Sequence, residues 1–216
     1  MIGIFDYTVW LTYMSLLSAW VGVFLSLGCG RLYAGMLCLM FSGFCDAFDG
    51  RVARMKKDRT EEAKGFGIQI DSLTDIVAFG LLPACLGICE LKYTGKLEEW
   101  GFAAAAVCAV YVLAAMIRLA YYNVHEEERQ KKENGAAHSY IGLPVTAACL
   151  VFPTVLLIQH LTGSDLAAVY FAVMIVTAFA FVLRFSVAKP GLRGILIMVG
   201  IGFVELVLFI IRHMIR

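Results

Sequence analysis

The sequence predicts an all-α polytopic integral membrane protein with about six to eight transmembrane helices. Of its 216 residues, 61 % are hydrophobic, and the mean hydropathy is +0.80, far above the values of soluble domains. Apolar runs of roughly 20 residues, the length that spans a bilayer as a helix, recur along the chain. No composition shift, repeat or low-complexity stretch divides the chain, so we expect residues 1–216 to form a single membrane-embedded domain.

Seven apolar runs are candidate spans. The last run is interrupted by Gly200, Gly202 and Glu205. Glu205 is either a buried functional acid or, as we prefer, a pairing or interface residue. Residues 2–10 suit a short interfacial helix, because Asp6 interrupts them and an aromatic residue follows at headgroup level. The seven runs are 9–28, 32–54, 68–90, 100–122, 143–161, 166–186 and 193–213.

The distribution of lysine and arginine predicts the orientation in the cell membrane. The segments 51–67, 123–141 and 184–193 carry six, three and three of these residues, and the alternate connections carry at most two each. Because short cytoplasmic segments are enriched in lysine and arginine, we expect these three segments and the N-terminus to face the cytoplasm. The polar stretch 125–139 is then a solvated cytoplasmic loop or, alternatively, a lid over a site.

Other bulk properties exclude several classes of protein. The net charge of +1 gives no reason to expect a nucleic-acid partner. The seven cysteines form no CxxC pair and lie mostly in apolar runs, which is typical of small packing residues rather than of a disulfide framework. The first ten residues lack a basic segment and a clear cleavage site, so we expect no removable signal peptide.

Four aspartates, Asp46, Asp49, Asp71 and Asp75, form two pairs just inside consecutive apolar runs. The spacings of three and four residues place both carboxylates of a pair on one helix face. A polar, basic segment separates the pairs and must lie outside the hydrocarbon. The pattern predicts that the second and third membrane helices bring four carboxylates together at their cytoplasmic ends.

Ionisable side chains within membrane segments mark a functional site. Four crowded carboxylates repel one another unless cations lie among them, and hard ions such as Mg²⁺, Mn²⁺ or Ca²⁺ prefer oxygen ligands. Two metals roughly 3.5–4 Å apart support displacement at phosphorus. The small residues Gly50, Ala53 and Gly67 allow close approach of a ligand to the backbone, and Arg54 suits a pyrophosphate.

These residues resemble the signature of the CDP-alcohol phosphotransferase family, DxxDGxxAR…GxxxDxxxD. Every signature position is matched, from Asp46 to Arg54 and from Gly67 to Asp75. Twelve residues separate Arg54 from Gly67, where the family usually has about eight, and loops tolerate such insertions.

Three further stretches resemble the phosphatidylserine synthase branch of that family. The sequence DSLTDIVAFGLLPA begins at Asp71, Arg118-Leu-Ala-Tyr-Tyr-Asn123 is similar to RLARFN, and Ile141-Gly-Leu-Pro is similar to FxGLP. Tyr121 and Thr146 depart from the branch, which often has arginine and proline there. The resemblance covers roughly residues 40–148.

The resemblance implies transfer of a phosphatidyl group from CDP-diacylglycerol to L-serine, giving phosphatidylserine and CMP. It implies Mg²⁺ or Mn²⁺ as cofactor, with Ca²⁺ as a substitute or inhibitor, and a homodimer in the membrane. Asp75 would complete a second metal site and accept the proton of the attacking hydroxyl. The other implied roles are metal binding by Asp46, Asp49 and Asp71, and nucleotide binding by Gly50, Ala53, Arg54 and Gly67.

Arg118 and Asn123 are the candidate acceptor-binding residues. Arg118 lies at the inner end of the fourth apolar run, where a guanidinium needs a partner and suits a carboxylate through paired hydrogen bonds. Alternatively, Arg118 extends to the interface or pairs with a glutamate. Asn123 lies at the same level and offers a polar contact.

Two other functions stay open from the residues alone. The first keeps the chemistry with another acceptor alcohol, glycerol 3-phosphate or inositol phosphate, which would require several basic residues around the acceptor phosphate. The second is a divalent-cation transporter, which predicts acids near the bilayer midplane on broken helices. The aspartates lie instead at one end of their runs, beside a basic segment.

Overall fold

The protein, described by a computed structural model over residues 3–56, 58, 60–132, 139–188 and 192–215, is a bundle of helices with one short β-ribbon. Strands β1 (Ser139–Ile141) and β2 (Ser186–Ala188) pair antiparallel. The helices are α1 (Trp10–Val23), α2 (Leu32–Met55), α3 (Glu61–Asp75), α4 (Leu82–Tyr93), α5 (Leu97–Lys132), α6 (Ala148–Thr162), α7 (Ala167–Val182) and α8 (Leu192–Ile215). Single 3₁₀ turns precede α1 and α6 (Tyr7–Val9, Val145–Ala147), and π-helical turns follow α1 and α3 (Phe24–Gly28, Ile76–Leu81).

The predicted fold class is confirmed, because six helices of the described part are long and apolar enough to cross a membrane. The seventh candidate, 166–186, corresponds to α7. Its 16 residues make α7 shorter than any of the six long segments. It ends at Val182 because Leu183 is extended. The six long segments are Tyr7–Gly28, Leu32–Met55, Glu61–Tyr93, Leu97–His125, Val145–Thr162 and Gly194–Ile211.

The third span is longer than the run 68–90 predicted from hydropathy. Residues Glu61–Tyr93 form one continuous helical segment of 33 residues, so much of the polar segment 51–67 is helical. The start is fixed by Thr60, whose side chain accepts a hydrogen bond from the Ala63 N–H at 3.1 Å. Glu61 and Glu62 in the first turn favour the same start through the helix dipole.

Pro83 lies just after the π-helical turn that follows Asp75. Proline has no N–H, so the carbonyl four residues earlier, that of Phe79, loses its usual helical partner. The buried hydroxyl of Tyr111 donates to the Phe79 carbonyl oxygen at 2.6 Å. The Tyr170 hydroxyl donates to the Pro83 carbonyl oxygen at 2.8 Å. Tyrosine hydroxyls from α5 and α7 therefore donate hydrogen bonds to backbone carbonyls at and near the proline.

Small residues bring α1 and α2 close together. Ser15 Oγ donates to the Ser42 carbonyl at 3.3 Å, and Ser42 Oγ donates back to the Ser15 carbonyl at 3.0 Å. One turn further along, Ser18 Oγ donates to the Cys38 carbonyl at 3.0 Å. Such polar contacts between close backbones are typical of helix pairs in membranes. They fix the position of α2, which carries the first aspartate pair.

The N-terminal segment joins the end of α2. Asp6 accepts a hydrogen bond from the Thr8 N–H at 3.2 Å and forms an ion pair with Lys56. The interfacial helix considered for residues 2–10 is reduced to the turn Tyr7–Val9, since residues 3–6 are not helical. Asp6, the end of α2 and the start of α3 thus share one face of the bundle, which we call the aspartate face.

Glu205 on α8 is buried and accepts a hydrogen bond from the Thr154 hydroxyl on α6. This contact supports the preferred interpretation of Glu205 as a pairing residue. The stretch 125–139 is helical as far as Lys132, where α5 ends. Its remainder, 133–138, lies outside the described residues.

Candidate active site

The four aspartates converge as the spacing predicts. Asp46 and Asp49 lie in the second half of α2, and Asp71 and Asp75 lie in the last turns of α3. Asp46, Asp49 and Asp71 each present a carboxylate oxygen, and these oxygens lie within 4.8 Å of one another. Asp75 neighbours Asp46 through its carboxyl group. The second half of α2 and the last turns of α3 thus build one acidic cluster.

This cluster suits a divalent cation. Asp49 and Asp75 are each 8 % exposed, and Asp46 and Asp71 are partly buried. Carboxylates held so close in a poorly hydrated place repel one another strongly. A donor set made only of carboxylate oxygens matches the preference of Mg²⁺ and Mn²⁺. The residues present therefore fit the metal that the family resemblance implies.

Thr12 on α1 is a member of the site that sequence reasoning missed. Its hydroxyl donates a hydrogen bond to Asp49 Oδ2 at 3.2 Å, and both side chains are buried. Thr12 precedes Asp49 by 37 residues and lies in an apolar run without a distinguishing pattern. Only the packing of α1 against α2 brings the two together.

The predicted nucleotide-binding residues lie beside the cluster. Arg54 is exposed, and its Nη1 atom lies 3.3 Å from the place where a Cβ on Gly50 would stand. The guanidinium therefore folds back along α2 over Gly50, on the side of Asp49. Ala53 on α2 and Gly67 on α3 are partly exposed. Gly50 directly follows Asp49, and Ala53 and Gly67 lie one helical turn from Asp49 and Asp71.

Helix α6 covers the cluster from within the bundle. A Cβ on Gly43 would lie 2.3 Å from Cys149 Sγ and 2.5 Å from Cys149 Cβ, so only glycine permits this approach. Cys149 is close enough to Asp46 and Asp75 to interact electrostatically with both. The helix pair α2–α6 therefore closes the apolar side of the site.

Arg118 is buried at the same end of the bundle. Its Nε donates to the Leu143 carbonyl at 3.2 Å, and its guanidinium lies 5.1 Å from the Tyr122 ring centroid. Gly142, which precedes Leu143, has φ +77°. A Cβ on Gly142 would lie 3.1 Å from the Leu183 carbonyl oxygen. The Gly-Leu-Pro stretch thus packs against the end of α7 and presents a carbonyl to Arg118.

Asn123 contacts the helix that carries the second aspartate pair. Its Nδ2 donates to Ser72 Oγ at 2.8 Å, and Ser72 Oγ donates to Asn123 Oδ1 at 3.0 Å. Ser72 lies between Asp71 and Asp75, so the Asn123 amide links α5 to α3. Arg118 and Asn123 both lie at the aspartate face, as predicted.

The family model of CDP-alcohol phosphatidyltransferase matches residues 7–184. The chain belongs to this family. The match extends from the turn before α1 to the residues that follow α7, so it includes Thr12 and Arg118 as well as the aspartates.

Curated relatives of this chain carry names that mention serine. A CDP-diacylglycerol–serine O-phosphatidyltransferase of Helicobacter pylori is 32 % identical over 115 residues, 53 % of this chain and 42 % of that protein. One of Bacillus subtilis is 27 % identical over 123 residues, 56 % and 60 % of the two chains. The archaetidylserine synthase of Methanothermobacter thermautotrophicus is 28 % identical over 182 residues, 82 % and 66 %.

The chain therefore spans less than half the length of the Helicobacter relative and about two thirds of the archaeal one. No solved structure matches the chain.

Proposed function

We propose that this CDP-alcohol phosphatidyltransferase transfers the phosphatidyl group of CDP-diacylglycerol to L-serine. The convergence of Asp46, Asp49 and Asp71 within 4.8 Å carries the proposal. The serine acceptor is supported by the names of relatives from three organisms. Those names share serine and differ in the lipid, so the acceptor is better supported than the lipid tails.

In the proposed reaction the serine hydroxyl oxygen attacks the phosphorus that carries the diacylglycerol. The new P–O bond forms as the bond to the CMP phosphate oxygen breaks, and CMP leaves with that oxygen. Asp75 accepts the hydroxyl proton. In this role Asp75 acts through its position beside the other three carboxylates.

The remaining roles follow the layout of the site. Asp46, Asp49 and Asp71 would hold the metal, Mg²⁺ or Mn²⁺, and Asp75 would complete a second position. When bound, the metal offsets negative charge on the phosphate oxygens. The nucleotide would lie along the small side chains and Arg54, and serine near Arg118. The residues proposed for substrates are Gly50, Ala53, Arg54 and Gly67 for the nucleotide, and Arg118 and Asn123 for serine.

The proposed setting is a homodimer in the cell membrane with the aspartate face toward the cytoplasm. The segments of highest lysine and arginine content, 51–67, 123–141 and 184–193, support this orientation. The acyl chains of the substrate would stay in the bilayer while its pyrophosphate reaches the carboxylates.

The direct test is the release of CMP by purified protein in lipid–detergent micelles. CDP-diacylglycerol, Mg²⁺ or Mn²⁺ and a panel of alcohols are supplied, among them serine, glycerol 3-phosphate and inositol phosphate. We expect release with serine, and loss of release with EDTA. Faster release with another alcohol would change the acceptor, and cation uptake into vesicles without CMP release would favour a transporter.

Substitutions test the site itself. Asp46→Asn, Asp49→Asn and Asp71→Asn should each abolish CMP release, whereas Asp58→Asn in the exposed connection should not. Activity retained in metal-free buffer would contradict the metal roles.

A second series tests the nucleotide position. Gly50→Leu or Ala53→Leu should block CDP-diacylglycerol binding, because the added side chain fills the space beside the carboxylates. Gly65→Leu is the matched control, since a Cβ there meets nothing within 4 Å. Unchanged lipid affinity in the first two variants would mean that Gly50 and Ala53 serve helix packing alone.

A further inference from the structure

A groove of about 410 Å³ runs between α5 and α7 on the outside of the bundle. Every side chain that lines it is apolar. Small residues such as Ala114 and Ala178 are buried at its base, and larger ones such as Val110 and Phe179 are 61 % and 63 % exposed along its edges. The groove is therefore a continuous apolar surface that a partner within the membrane can contact.

The groove lies in one leaflet. Along α5 it extends from Ala106 to Ile117, roughly 16 Å at the rise of an α-helix. That length is about half of the 30 Å hydrocarbon core. Ile117 directly precedes Arg118, which lies at the aspartate face, so the groove occupies the leaflet on that side.

A cation and an aromatic ring close the end of the groove at the aspartate face. Tyr121 lies one helical turn beyond Ile117, and Arg184 lies two residues beyond Val182. The Arg184 guanidinium is 5.7 Å from the Tyr121 ring centroid, and Arg184 is exposed. This end thus presents positive charge at the level of lipid headgroups, where a phosphate can accept its hydrogen bonds.

The charged end of the groove favours a lipid over a helix as its occupant. A single hydrocarbon chain is thinner and can follow the groove along its whole length. The apolar lining with a cation at one end therefore matches a lipid tail attached to an anionic headgroup.

We propose that the α5–α7 groove binds one acyl chain of an anionic phospholipid from the leaflet on the aspartate face, with Arg184 holding the lipid phosphate. None of the residues of this site belongs to the aspartate cluster. Binding at the groove requires neither metal nor nucleotide, so it stands independently of the proposed phosphatidyl transfer.

The test uses a phosphatidylglycerol that carries a photoreactive group in its acyl chain. The full chain is reconstituted in phosphatidylcholine nanodiscs with a small fraction of this probe, in EDTA, and labelled peptides are mapped by mass spectrometry. We expect labels on the groove-facing residues of α5 and α7. A phosphatidylcholine with the same photoreactive chain should label them about fivefold less, the contribution of one basic residue at a membrane surface.

Two substitutions and their controls make the result decisive. Val110→Trp should fill the groove and suppress labelling, whereas Met116→Trp, also on α5 and 52 % exposed but outside the groove, should not. Arg184→Gln should remove the preference for the anionic probe, whereas Arg31→Gln, remote from the groove, should keep it.

Three outcomes would overturn the proposal. Labels spread evenly over the lipid-facing surface of α5 would show no specific site. Equal labelling by both probes would show that headgroup charge plays no part. Cross-links between two copies of the chain through the groove would show that a second copy, rather than a lipid, occupies it.

Discussion

The Thr12 hydroxyl on α1 donates a hydrogen bond to Asp49 Oδ2 on α2 across 3.2 Å. Helix α1 carries none of the signature positions, yet it supplies this contact to the aspartate cluster. A hydroxyl donor fixes the rotation of the carboxylate, so the second oxygen of Asp49 is held in one direction. Groups that orient a metal ligand in this way contribute to metal affinity without touching the ion.

The first prediction concerns this hydrogen bond. Thr12→Val keeps the shape of the side chain and removes the donor, so the affinity for Mn²⁺ should fall roughly 10- to 100-fold. Mn²⁺ binding is measured by electron paramagnetic resonance, independently of turnover. Thr12→Ser retains the hydroxyl and should bind Mn²⁺ nearly as the parent does. Equal affinity in Thr12→Val and the parent would show that Thr12 serves packing alone.

The second prediction concerns the acceptor. Arg118→Lys keeps the charge and loses the planar fork, so the apparent serine affinity should fall roughly 10- to 100-fold, the loss of one charge-assisted hydrogen bond. Affinity for CDP-diacylglycerol should change little. The measurement is the serine dependence of CMP release at saturating lipid. If both substrates weaken equally, Arg118 acts through its contact with Leu143 and serine is bound elsewhere.

The third prediction concerns the close contact of α2 and α6. Gly43→Ala places a methyl group against Cys149 and should destabilise the protein by about 1–3 kcal/mol, as overpacking does. A thermal unfolding scan in detergent detects the loss. Gly200→Ala on α8, where a Cβ meets nothing within 4 Å, is the control. Adding Cys149→Gly to Gly43→Ala should recover stability, and failure to recover would locate the strain elsewhere.

The fourth prediction concerns the carbonyl that Pro83 leaves without a helical partner. Tyr111→Phe removes the donor to the Phe79 carbonyl and should destabilise the fold by about 1–3 kcal/mol. In a Pro83→Ala background, a backbone N–H becomes available within the helix, so the same substitution should cost less. Equal losses in both backgrounds would mean that the Tyr111 hydroxyl does not compensate for the proline.

The fifth prediction concerns pH. The Lys96 ammonium group, 2.5 Å from Asp165 Oδ2, holds the pKa of Asp165 below its ordinary value in the connection before α7. The ionised carboxylate therefore stabilises the fold above its unfolded pKa, and this contribution is lost as pH falls through the lowered pKa. Asp165→Asn should lower the melting temperature slightly at neutral pH and not at strongly acidic pH. Because the pair is solvent-accessible, salt should reduce the difference.

The acidic cluster could be predicted from the sequence because its geometry is local. Spacings of three and four residues fix which helix face each carboxylate occupies, and the basic segment between the pairs places both helix ends on one side. The carboxylates of Asp46 and Asp71 therefore lie close together, as expected. Helix periodicity and the free-energy cost of buried charge are enough to predict this cluster. The packing of the other helices does not enter the argument.

The parts that the sequence did not predict depend on tertiary contacts. Thr12 and Tyr111 find their partners 37 and 32 residues away, across helix interfaces that hydropathy does not describe. The level of Asn123 in the membrane predicts a polar contact with the acceptor, and the structure shows that its amide faces Ser72. The early start of α3 was missed because hydropathy overlooks the cap at Thr60, which makes a polar stretch helical.

Under the proposed function, the continuous helix Glu61–Tyr93 has a consequence for where the product lipid accumulates. From Tyr93, Asp75 and Asp71 lie roughly 27 and 33 Å along the axis, close to the 30 Å depth at which hydrocarbon gives way to ester and phosphate groups. A lipid whose phosphate reacts at that depth keeps both tails in the leaflet from which it came. Synthesis would then enlarge one monolayer only, and the opposite monolayer would receive the new lipid through a separate translocation step.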